Sequence, residues 1–225
     1  MATMPLHSRD GHLFVEVDGE LWVLDTGAPS SFAARGTVTF AGETFDVGRS
    51  FLGLDAAALS DFVGVECAGL LGADVLGRFD FILDAPAGTL EASTSDLKLA
   101  GVAIPLDEFM GIPIVSARVR GRDYRLFFDT GAQISYLQDD EMRSAFPAAG
   151  TITDFYPGMG RFETDTHMVD VVLGELEVCL RCGALPGLLG MTLMMAGTQG
   201  IIGNEVLRER RAGYFPRKGM LVLGS

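Results

Sequence analysis

The tetrapeptide Asp-Thr-Gly-Ala occurs twice in this chain of 225 residues, at positions 25–28 and 129–132. Each copy ends a short apolar run, at residues 21–24 before the first copy and 126–128 before the second. A strand that leads an Asp into a glycine turn places a charged side chain at the edge of a core. A chain that does this once in each half can bring two carboxylates together on a pseudo-two-fold axis.

The repeat extends beyond the tetrapeptide. A Gly-apolar-apolar-Gly segment follows at residues 69–72 in the first half and 200–203 in the second, and further apolar segments come after both in the same order. Self-similarity of this kind indicates two copies of one structural unit. The two Asp residues are 104 positions apart, whereas Gly72 and Gly203 are 131 apart. The second half is therefore 27 residues longer (131 less 104) between these two landmarks.

These residues resemble the retropepsin and pepsin clan of aspartic peptidases. Members of that clan have an Asp-Thr/Ser-Gly turn and, later in the same lobe, two apolar residues and a Gly that pack beside the turn. Both halves match, with residues 70–72 and 201–203 in the second role. Two motifs in the correct order, each present twice, are far more specific than a single Asp-Thr-Gly. The resemblance covers about residues 13–223, and the chain is similar to two retropepsin lobes fused together.

The resemblance implies an all-β fold, the acid protease fold, made of two pseudo-two-fold-related retropepsin-like lobes with one or two short helices per lobe. We place the boundary near residue 105. Residues 1–105 then form the N-terminal lobe, which carries Asp25. Residues 106–225 form the C-terminal lobe, which carries Asp129 and a flap hairpin.

Local patterns agree with a β-rich fold. Residues 14–17 alternate between apolar and polar side chains, Asp18-Gly19 is a hairpin turn signal, and residues 21–24 return towards the first Asp. The second half repeats this arrangement. Residues 114–120 are predicted to form one strand, the following Gly a turn, and residues 124–128 a second strand that leads to the second Asp.

Three short helices are predicted. One begins near Asp139, where acidic side chains suit a helix N-terminus, and ends before Pro147. The other two follow the Gly-apolar-apolar-Gly segments, at residues 74–76 and 205–210. Asp74 and Glu205 are interpreted as charges at the start of these helices. Three methionines are interpreted as buried gap-filling residues rather than as a peptide-binding wall, namely Met191, Met194 and Met195.

Asp25 and Asp129 are the predicted catalytic residues. Two carboxylates a few ångströms apart cannot both ionise cheaply, so the pair shares one proton. The ionised member can deprotonate a water held between them while the protonated member donates to a peptide carbonyl, which gives a tetrahedral diol without a covalent intermediate. The predicted function is therefore that of an aspartic endopeptidase acting on extended polypeptides. A non-catalytic peptide-binding or scaffold protein with the same fold is the alternative.

The residues beside each Asp are expected to support the pair. Gly27 and Gly131 allow the backbone to approach closely, so that an N–H can donate to the carboxylate. In the family, the Thr of each motif reaches across to the backbone of the opposite lobe, and Thr26 and Thr130 match that position.

Ala28 and Ala132 follow the two glycines. Many pepsins have Ser or Thr there, whose hydroxyl donates to the carboxylate and favours its ionisation. Alanine offers no such hydrogen bond, so the pKa values of the pair should be higher, as in retroviral proteases. We expect a mildly acidic to near-neutral pH optimum.

The longer interval of the second half is predicted to contain a long β-hairpin with a glycine-rich tip, over about residues 153–172. Family members cover the substrate with such a flap and so exclude water. The N-terminal half has room only for short strands in the corresponding interval, so we predict one flap, supplied by the C-terminal lobe. Its candidate substrate-binding residues are Tyr156, Pro157, Gly158, Met159 and Gly160.

Bulk composition limits the partners. The formal net charge is −13, which argues against a nucleic-acid partner or an anionic membrane surface. The N-terminal residues lack the pattern of a secretion signal, and the most apolar stretch, residues 184–197, contains a proline and several glycines and is too short to span a bilayer. A polypeptide substrate is the expected partner, and we expect a monomer.

The three cysteines leave at least one thiol unpaired, which suits a reducing compartment, and we therefore expect a cytoplasmic protein. Cys179 and Cys182 have the spacing of half a zinc site, but no second Cys or His pair completes the pattern. They are interpreted as ordinary strand cysteines, and no metal or cofactor is expected.

Overall fold

Short β-strands joined by tight turns make up most of the computed structural model, which describes residues 1–224 and gives only the backbone at positions 188 and 192. The N-terminal half contains β1 (Ala2–Arg9), β2 (His12–Val17), β3 (Glu20–Leu24), β4 (Phe32–Ala33), β5 (Thr37–Phe40), β6 (Glu43–Asp46), β7 (Ser50–Phe51), β8 (Leu54–Asp55), α1 (Ala56–Val63), β9 (Gly69–Leu71), α2 (Ala73–Leu76), β10 (Asp80–Asp84) and β11 (Thr89–Ser93).

The C-terminal half contains β12 (Val102–Phe109), β13 (Ile112–Val119), β14 (Arg122–Phe128), β15 (Ser135–Leu137), α3 (Asp140–Ser144), β16 (Ala148–Tyr156), β17 (Gly160–Leu173), β18 (Leu176–Gly183), α4 (Gly187–Met195), β19 (Gly200–Ile202), β20 (Arg211–Phe215) and β21 (Met220–Leu223). Two 3-10 turns lie at Asn204–Leu207 and Pro216–Lys218. The predicted all-β class with short helices in each lobe is confirmed.

Each half begins with two successive hairpins, β1–β2–β3 and β12–β13–β14. All four turns have two residues with positive φ, the second of which is Gly, and they lie at Asp10-Gly11, Asp18-Gly19, Met110-Gly111 and Arg120-Gly121. Two-residue turns of this backbone type match the twist of the strands that they connect. The turns therefore fix the register that leads each half into its Asp.

The Gly-apolar-apolar segments form the strands that pack beside the Asp turns. In the N-terminal half, β9 lies parallel to β3, and Leu24 is opposite Leu71. In the C-terminal half, β19 lies parallel to β14, and Phe128 is opposite Ile202. A further strand, β4 or β15, pairs antiparallel on the other side. The two halves thus repeat the same local topology.

A six-stranded sheet joins the two halves, in the order β1, β11, β10, β20, β21 and β12. The central pair, β10 and β20, comes from different halves, and the rings of Phe81 and Tyr214 stack there with centroids 6.1 Å apart. The strand order on either side of this pair is related by the pseudo-two-fold. The sequence analysis did not predict this sheet, because its strands are distant along the chain.

Residue 105, the predicted lobe boundary, lies within β12. Residues 102–105 pair with β21 in the joining sheet, whereas residues 106–109 pair with β13. The boundary itself stays a prediction.

The predicted helices near residues 139, 74 and 205 are present as α3, α2 and a 3-10 turn. Helices α1 and α4 were not predicted. Asp55 caps α1 by accepting from the Ala58 N–H, and Gly64 ends it with a φ of 70°, so its start and stop signals are in the sequence. Helix α4 is apolar on all sides, and periodicity therefore does not reveal it.

The interpretation of three methionines as buried residues was wrong. Helix α4 buries Leu189 and Leu193 against the protein, and the opposite side carries the exposed Met191, Met194 and Met195. No helix within residues 1–224 is long and apolar enough to cross a membrane.

The close pairing of β15 with β19 makes a prediction about Gly200. A Cβ added there would lie 2.0 Å from the Tyr136 carbonyl oxygen, so Gly200→Ala must push two paired strands apart. We expect this substitution to lower the free energy of unfolding by about 1–3 kcal/mol, measured by urea denaturation. Gly187→Ala is the control, because nothing lies within 4 Å of its added Cβ, and it should change stability by less than about 0.5 kcal/mol. Equal midpoints for the two variants would contradict the packing described.

Candidate active site

Asp25 and Asp129 each follow the last residue of a central strand. The Asp25 N–H donates to the Leu71 carbonyl at 3.0 Å, and the Asp129 N–H donates to the Ile202 carbonyl at 2.9 Å. Each Asp is therefore the point at which its strand leaves the parallel pair and enters the turn. The neighbouring β9 or β19 holds the backbone of that turn in place.

The two carboxyl groups face each other across the halves. The Gly27 N–H donates to Asp25 Oδ1 at 2.9 Å, and the Gly131 N–H donates to Asp129 Oδ1 at 2.8 Å. A Cβ on Gly27 would lie 2.2 Å from Asp129 Cγ, and a Cβ on Gly131 would lie 2.5 Å from Asp25 Cγ. Only glycine leaves room for the opposite carboxyl group, so these two positions set how closely the pair can approach.

Ala28 and Ala132 complete the turns through their backbone. The Ala28 N–H donates to Asp25 Oδ1 at 2.8 Å, and the Ala132 N–H donates to Asp129 Oδ1 at 3.3 Å. Their carbonyl groups accept from the backbone N–H of Ala73 at 2.8 Å and of Asn204 at 2.9 Å. The methyl side chains add no hydrogen bond to the carboxylates.

Thr26 and Thr130 join the halves with four buried hydrogen bonds. The Thr26 hydroxyl donates to the Phe128 carbonyl at 2.7 Å and accepts from the Thr130 N–H at 3.0 Å. The Thr130 hydroxyl donates to the Leu24 carbonyl at 2.7 Å and accepts from the Thr26 N–H at 3.0 Å. Both side chains are 2% exposed, so the network is shielded from water. It fixes one Asp turn relative to the other.

Ser31 and Ser135 support the turns and were missed by the sequence analysis. Each lies six residues after its Asp, so the repeat itself contained the signal. Ser31 Oγ accepts from the Gly72 N–H at 2.8 Å, and Ser135 Oγ accepts from the Gly203 N–H at 3.1 Å. These bonds hold the Gly-apolar-apolar-Gly segments against the Asp turns.

The acidic residues after these segments have a larger role than helix-start charges. Asp74 accepts from the Ser31 N–H and hydroxyl, and Glu205 accepts from the Arg181 N–H at 2.9 Å.

Asn204 also supports the Asp turns and was missed by the sequence analysis. Its side-chain amide donates to the Gly11 carbonyl at 2.8 Å and to the Thr130 carbonyl at 3.2 Å, which ties the first hairpin turn to the opposite half.

The carboxyl pair retains a proton. Burial, the charge of Asp129 and a hydrogen bond between the two side chains raise the pKa of Asp25 well above its usual range. Burial also raises the pKa of Asp129, and the hydrogen bond to Asp25 opposes that shift. The carboxyl groups are partly accessible through a cleft, but the surrounding protein removes much of their water. A pair of this kind holds one shared proton where isolated carboxyl groups would both be ionised.

The cleft above the pair has a volume of about 310 Å³ and mostly apolar walls. Val23 and Leu70 line the N-terminal side, and the residues equivalent to them by strand pairing, Phe127 and Ile201, line the other side. The cleft therefore preserves the pseudo-two-fold relation near its floor.

The β16–β17 hairpin extends over the cleft. It spans more of the chain than the predicted residues 153–172, since β16 begins at Ala148. Tyr156 and Pro157 line the cleft together with the Asp pair. Burial, followed by the charges of Asp129 and Asp25, raises the pKa of Tyr156.

The other three predicted flap residues lie at the tip and do not line the cleft. Gly158 and Gly160 have φ values of 79° and 85°, and Met159 between them is partly exposed. A Cβ added to Gly158 would lie 3.6 Å from the Leu52 carbonyl, so the tip rests beside the turn between β7 and β8.

The hairpin is also held by helix α1 of the opposite half. The Phe155 ring stacks on Phe62 with centroids 4.7 Å apart and an interplanar angle of 10°. The Arg161 guanidinium lies 5.3 Å from the centre of the Phe62 ring and donates to the Asp61 carbonyl at 2.9 Å. The hairpin of the C-terminal half therefore rests on a helix of the N-terminal half.

Within residues 1–224, no group of three or more His, Cys, Asp or Glu side chains is arranged to hold a metal ion. All three cysteines are free thiols, with Cys67 and Cys182 buried and Cys179 exposed.

Similarity to a solved structure, rather than to a known sequence, identifies the fold. No family model matches the chain. No curated protein matches it in sequence. Among solved structures, it is similar to an aspartic proteinase from Irpex lacteus, with a TM-score of 0.54 and 12% identity over all of this chain and 97% of that one. The chain therefore has the acid protease fold, and at this identity the likeness concerns the fold alone.

The threonine network predicts the effect of Thr26→Val, which keeps the shape of the side chain but leaves the Phe128 carbonyl and the Thr130 N–H unpaired. We expect the free energy of unfolding to fall by at least about 1–3 kcal/mol, because each unpaired buried group costs about that amount. Thr39→Val, at an exposed strand position, should change stability by less than about 0.5 kcal/mol. Chemical denaturation of both variants measures the difference, and a Thr26→Val value near that of the control would contradict the network.

The raised pKa values predict how stability depends on pH. Because the folded pKa of Asp25 exceeds its ordinary value of 3.8, the folded state binds more protons than the unfolded state between these two values. Stability should therefore fall as pH rises through this window. Asp25→Asn removes the titration, so this variant should be more stable than the wild type at neutral pH, with a difference that shrinks as pH falls towards about 4. Thermal denaturation from pH 4 to 8 tests this, and a constant difference would count against a strained pair.

Proposed function

We propose that the protein is an aspartic endopeptidase that hydrolyses peptide bonds in extended polypeptides. The observation that carries the proposal is the Asp25–Asp129 pair. Two carboxyl groups with raised pKa values face each other at the floor of a cleft, and each is oriented by backbone N–H donors from its own turn. A pair with one proton contains a general base and a general acid at the same time.

The chemistry follows from that shared proton. A water held between the two carboxyl groups loses a proton to the ionised member and attacks the carbonyl carbon of the peptide. The protonated member donates to the carbonyl oxygen, which produces a neutral tetrahedral diol. As the diol collapses, one hydroxyl gives its proton to the ionised member, the protonated member donates to the amine nitrogen, and the C–N bond breaks. The Thr26–Thr130 network keeps the carboxyl groups at a fixed separation while the proton changes position.

The walls of the cleft support a polypeptide substrate. Val23 and Leu70 on one side, with Phe127 and Ile201 on the other, offer apolar surface to side chains next to the bond that is cut. Burial of an apolar side chain there stabilises binding by about 1.5–3 kcal/mol. The β16–β17 hairpin acts as the flap in this proposal, with Tyr156 excluding water above the carboxyl pair.

One folded chain is the proposed active unit, because a single chain supplies both Asp residues. On the odd number of cysteines we propose a reducing compartment, the cytoplasm, as its location.

The proposal predicts that both carboxyl groups are necessary. Asp25→Asn and Asp129→Asn should each reduce kcat for an unfolded protein substrate by at least about 1000-fold, because neither carboxyl group alone provides both acid and base. Asp123→Asn is the control, because that side chain is 79% exposed on β14, away from the pair. Circular dichroism verifies that all variants are folded. Near wild-type turnover in either active-site variant would refute the dyad, and a folded wild type that binds peptides without cleaving them would favour the alternative of a peptide-binding protein.

The contact between the hairpin and α1 predicts how the flap opens. Phe62→Ala removes the ring on which Phe155 stacks and over which Arg161 lies. The amides of residues 156–160 should then exchange with solvent faster, while the exchange of the joining sheet changes little. Phe45→Ala is the matched control, because Phe45 is also partly buried but packs on the main core. Equal exchange at the tip in the two variants would show that α1 does not hold the hairpin.

A further inference from the structure

His12 is a buried residue beside the carboxyl pair to which the proposed reaction gives no role. It begins β2, is 4% exposed and lines the same cleft as Asp25 and Asp129. Its position is held firmly, because the preceding Gly11 carbonyl accepts from the Asn204 side chain. A buried polar ring at this point of an apolar cleft requires an explanation.

The hydrogen bond of His12 determines which ring nitrogen carries the proton. Nδ1 lies 3.2 Å from the Gly131 carbonyl oxygen, and a carbonyl can only accept, so Nδ1 is the donor. In the neutral ring, Nε2 is then an unprotonated acceptor. Burial lowers the pKa of His12, although the charges of Asp154, Asp10 and Asp129 oppose the shift, and this favours the neutral form. Within residues 1–224, Nε2 has no hydrogen-bond partner.

Asp154 supplies a third carboxylate to the cleft. It lies on β16, is 7% exposed, and accepts from the Tyr136 hydroxyl and from the Phe155 N–H at 2.8 Å. Each carboxyl oxygen accepts one of these hydrogen bonds, and both retain a further lone pair for a ligand. The ring centroid of His12 lies 6.0 Å from that of Phe155, the residue after Asp154, and His12 and Asp154 line the same cleft. Among the described residues that line the cleft, the acidic side chains are three aspartates, and neither Lys nor Arg is present.

The two sides of the cleft differ at this point. His12 lies two residues before Phe14, which pairs with Val23, and Ile112 lies two residues before Ile114, which pairs with Phe127. Ile112 is therefore the pseudo-two-fold equivalent of His12, and it also lines the cleft. One end of an extended peptide would meet an acceptor and a carboxylate, whereas the other end would meet an apolar side chain.

We propose that His12 and Asp154 form a specificity subsite for a basic side chain, Lys or Arg, of the substrate. The cation donates to Nε2 of neutral His12 and pairs with the Asp154 carboxylate, while the apolar walls hold the neighbouring side chains. This inference rests on the proposed function, since it specifies the polypeptide that the cleft accepts. A cationic side chain gains both a charged partner and a hydrogen bond to Nε2 of His12, whereas an apolar side chain leaves Nε2 without a donor.

The test uses a peptide with apolar residues around the cleavage site and Lys placed at each position in turn. A matched series has norleucine, which has the same length and no charge. We expect kcat/KM to favour Lys by about 10-fold or more at one position. A preference at no position would overturn the proposal. An equal preference at every position would also overturn it, because that would reflect only the net charge of −13.

Variants locate the preference. Asp154→Asn still accepts from Tyr136 but lacks the charge, and His12→Phe removes the Nε2 acceptor. Both should reduce the Lys-to-norleucine ratio towards 1, and Ile112→Phe, which places the same ring at the equivalent position, should keep it. The ratio is measured on one enzyme preparation, so a partly folded variant does not distort it. A ratio that both variants retain would assign the preference elsewhere.

Binding separates this proposal from the peptidase function. Affinities of the Lys and norleucine peptides for Asp129→Asn, measured by fluorescence anisotropy, do not depend on turnover. If the wild type cleaves nothing but this variant binds the Lys peptide about 10-fold more tightly, the subsite stands and the peptidase function fails. Equal affinities at every position would overturn the subsite whether or not the wild type is active.

Discussion

The buried hydrogen bonds of Thr26 and Thr130 are the interaction on which the rest of the structure depends. Each hydroxyl donates to one backbone group of the opposite half and accepts from another, and water does not reach these groups. The four bonds pair six polar groups, namely two hydroxyls, two backbone N–H groups and two carbonyl groups, and each of these groups that lost its partner while buried would cost about 1–3 kcal/mol. The backbone, rather than the carboxylate side chains, therefore determines how far apart Asp25 and Asp129 are.

This backbone connection makes a strained site stable. Two carboxyl groups that face each other with little water between them repel when both are ionised, and the pair responds by retaining a proton. The close approach is possible because Gly27 and Gly131 have no side chain where the opposite carboxyl group lies. The stability of the fold thus holds together two carboxyl groups that would otherwise separate.

The symmetric framework carries an asymmetric cleft. The Asp turns and the strands beside them obey the pseudo-two-fold, as do the joining sheet and the first hairpins. The long hairpin β16–β17 lines the cleft, whereas the short hairpin β5–β6 in the same interval of the N-terminal half does not, and the position equivalent to His12 is occupied by Ile112. Symmetry therefore positions the carboxyl pair, whereas the departures from symmetry make the two ends of the cleft different.

The sequence by itself determined the Asp turns, the strands that pack beside them and the two-lobe β fold, because each copy of the repeat encodes these features within a short segment. Ser31 and Ser135 were also readable there, six residues after each Asp. Only the tertiary structure decided the six-stranded joining sheet, the docking of the hairpin on Phe62, and the meeting of His12 with Gly131 and with the hairpin that carries Asp154. These contacts join residues far apart in the chain, and no local periodicity or turn signal specifies which distant surfaces will pack together.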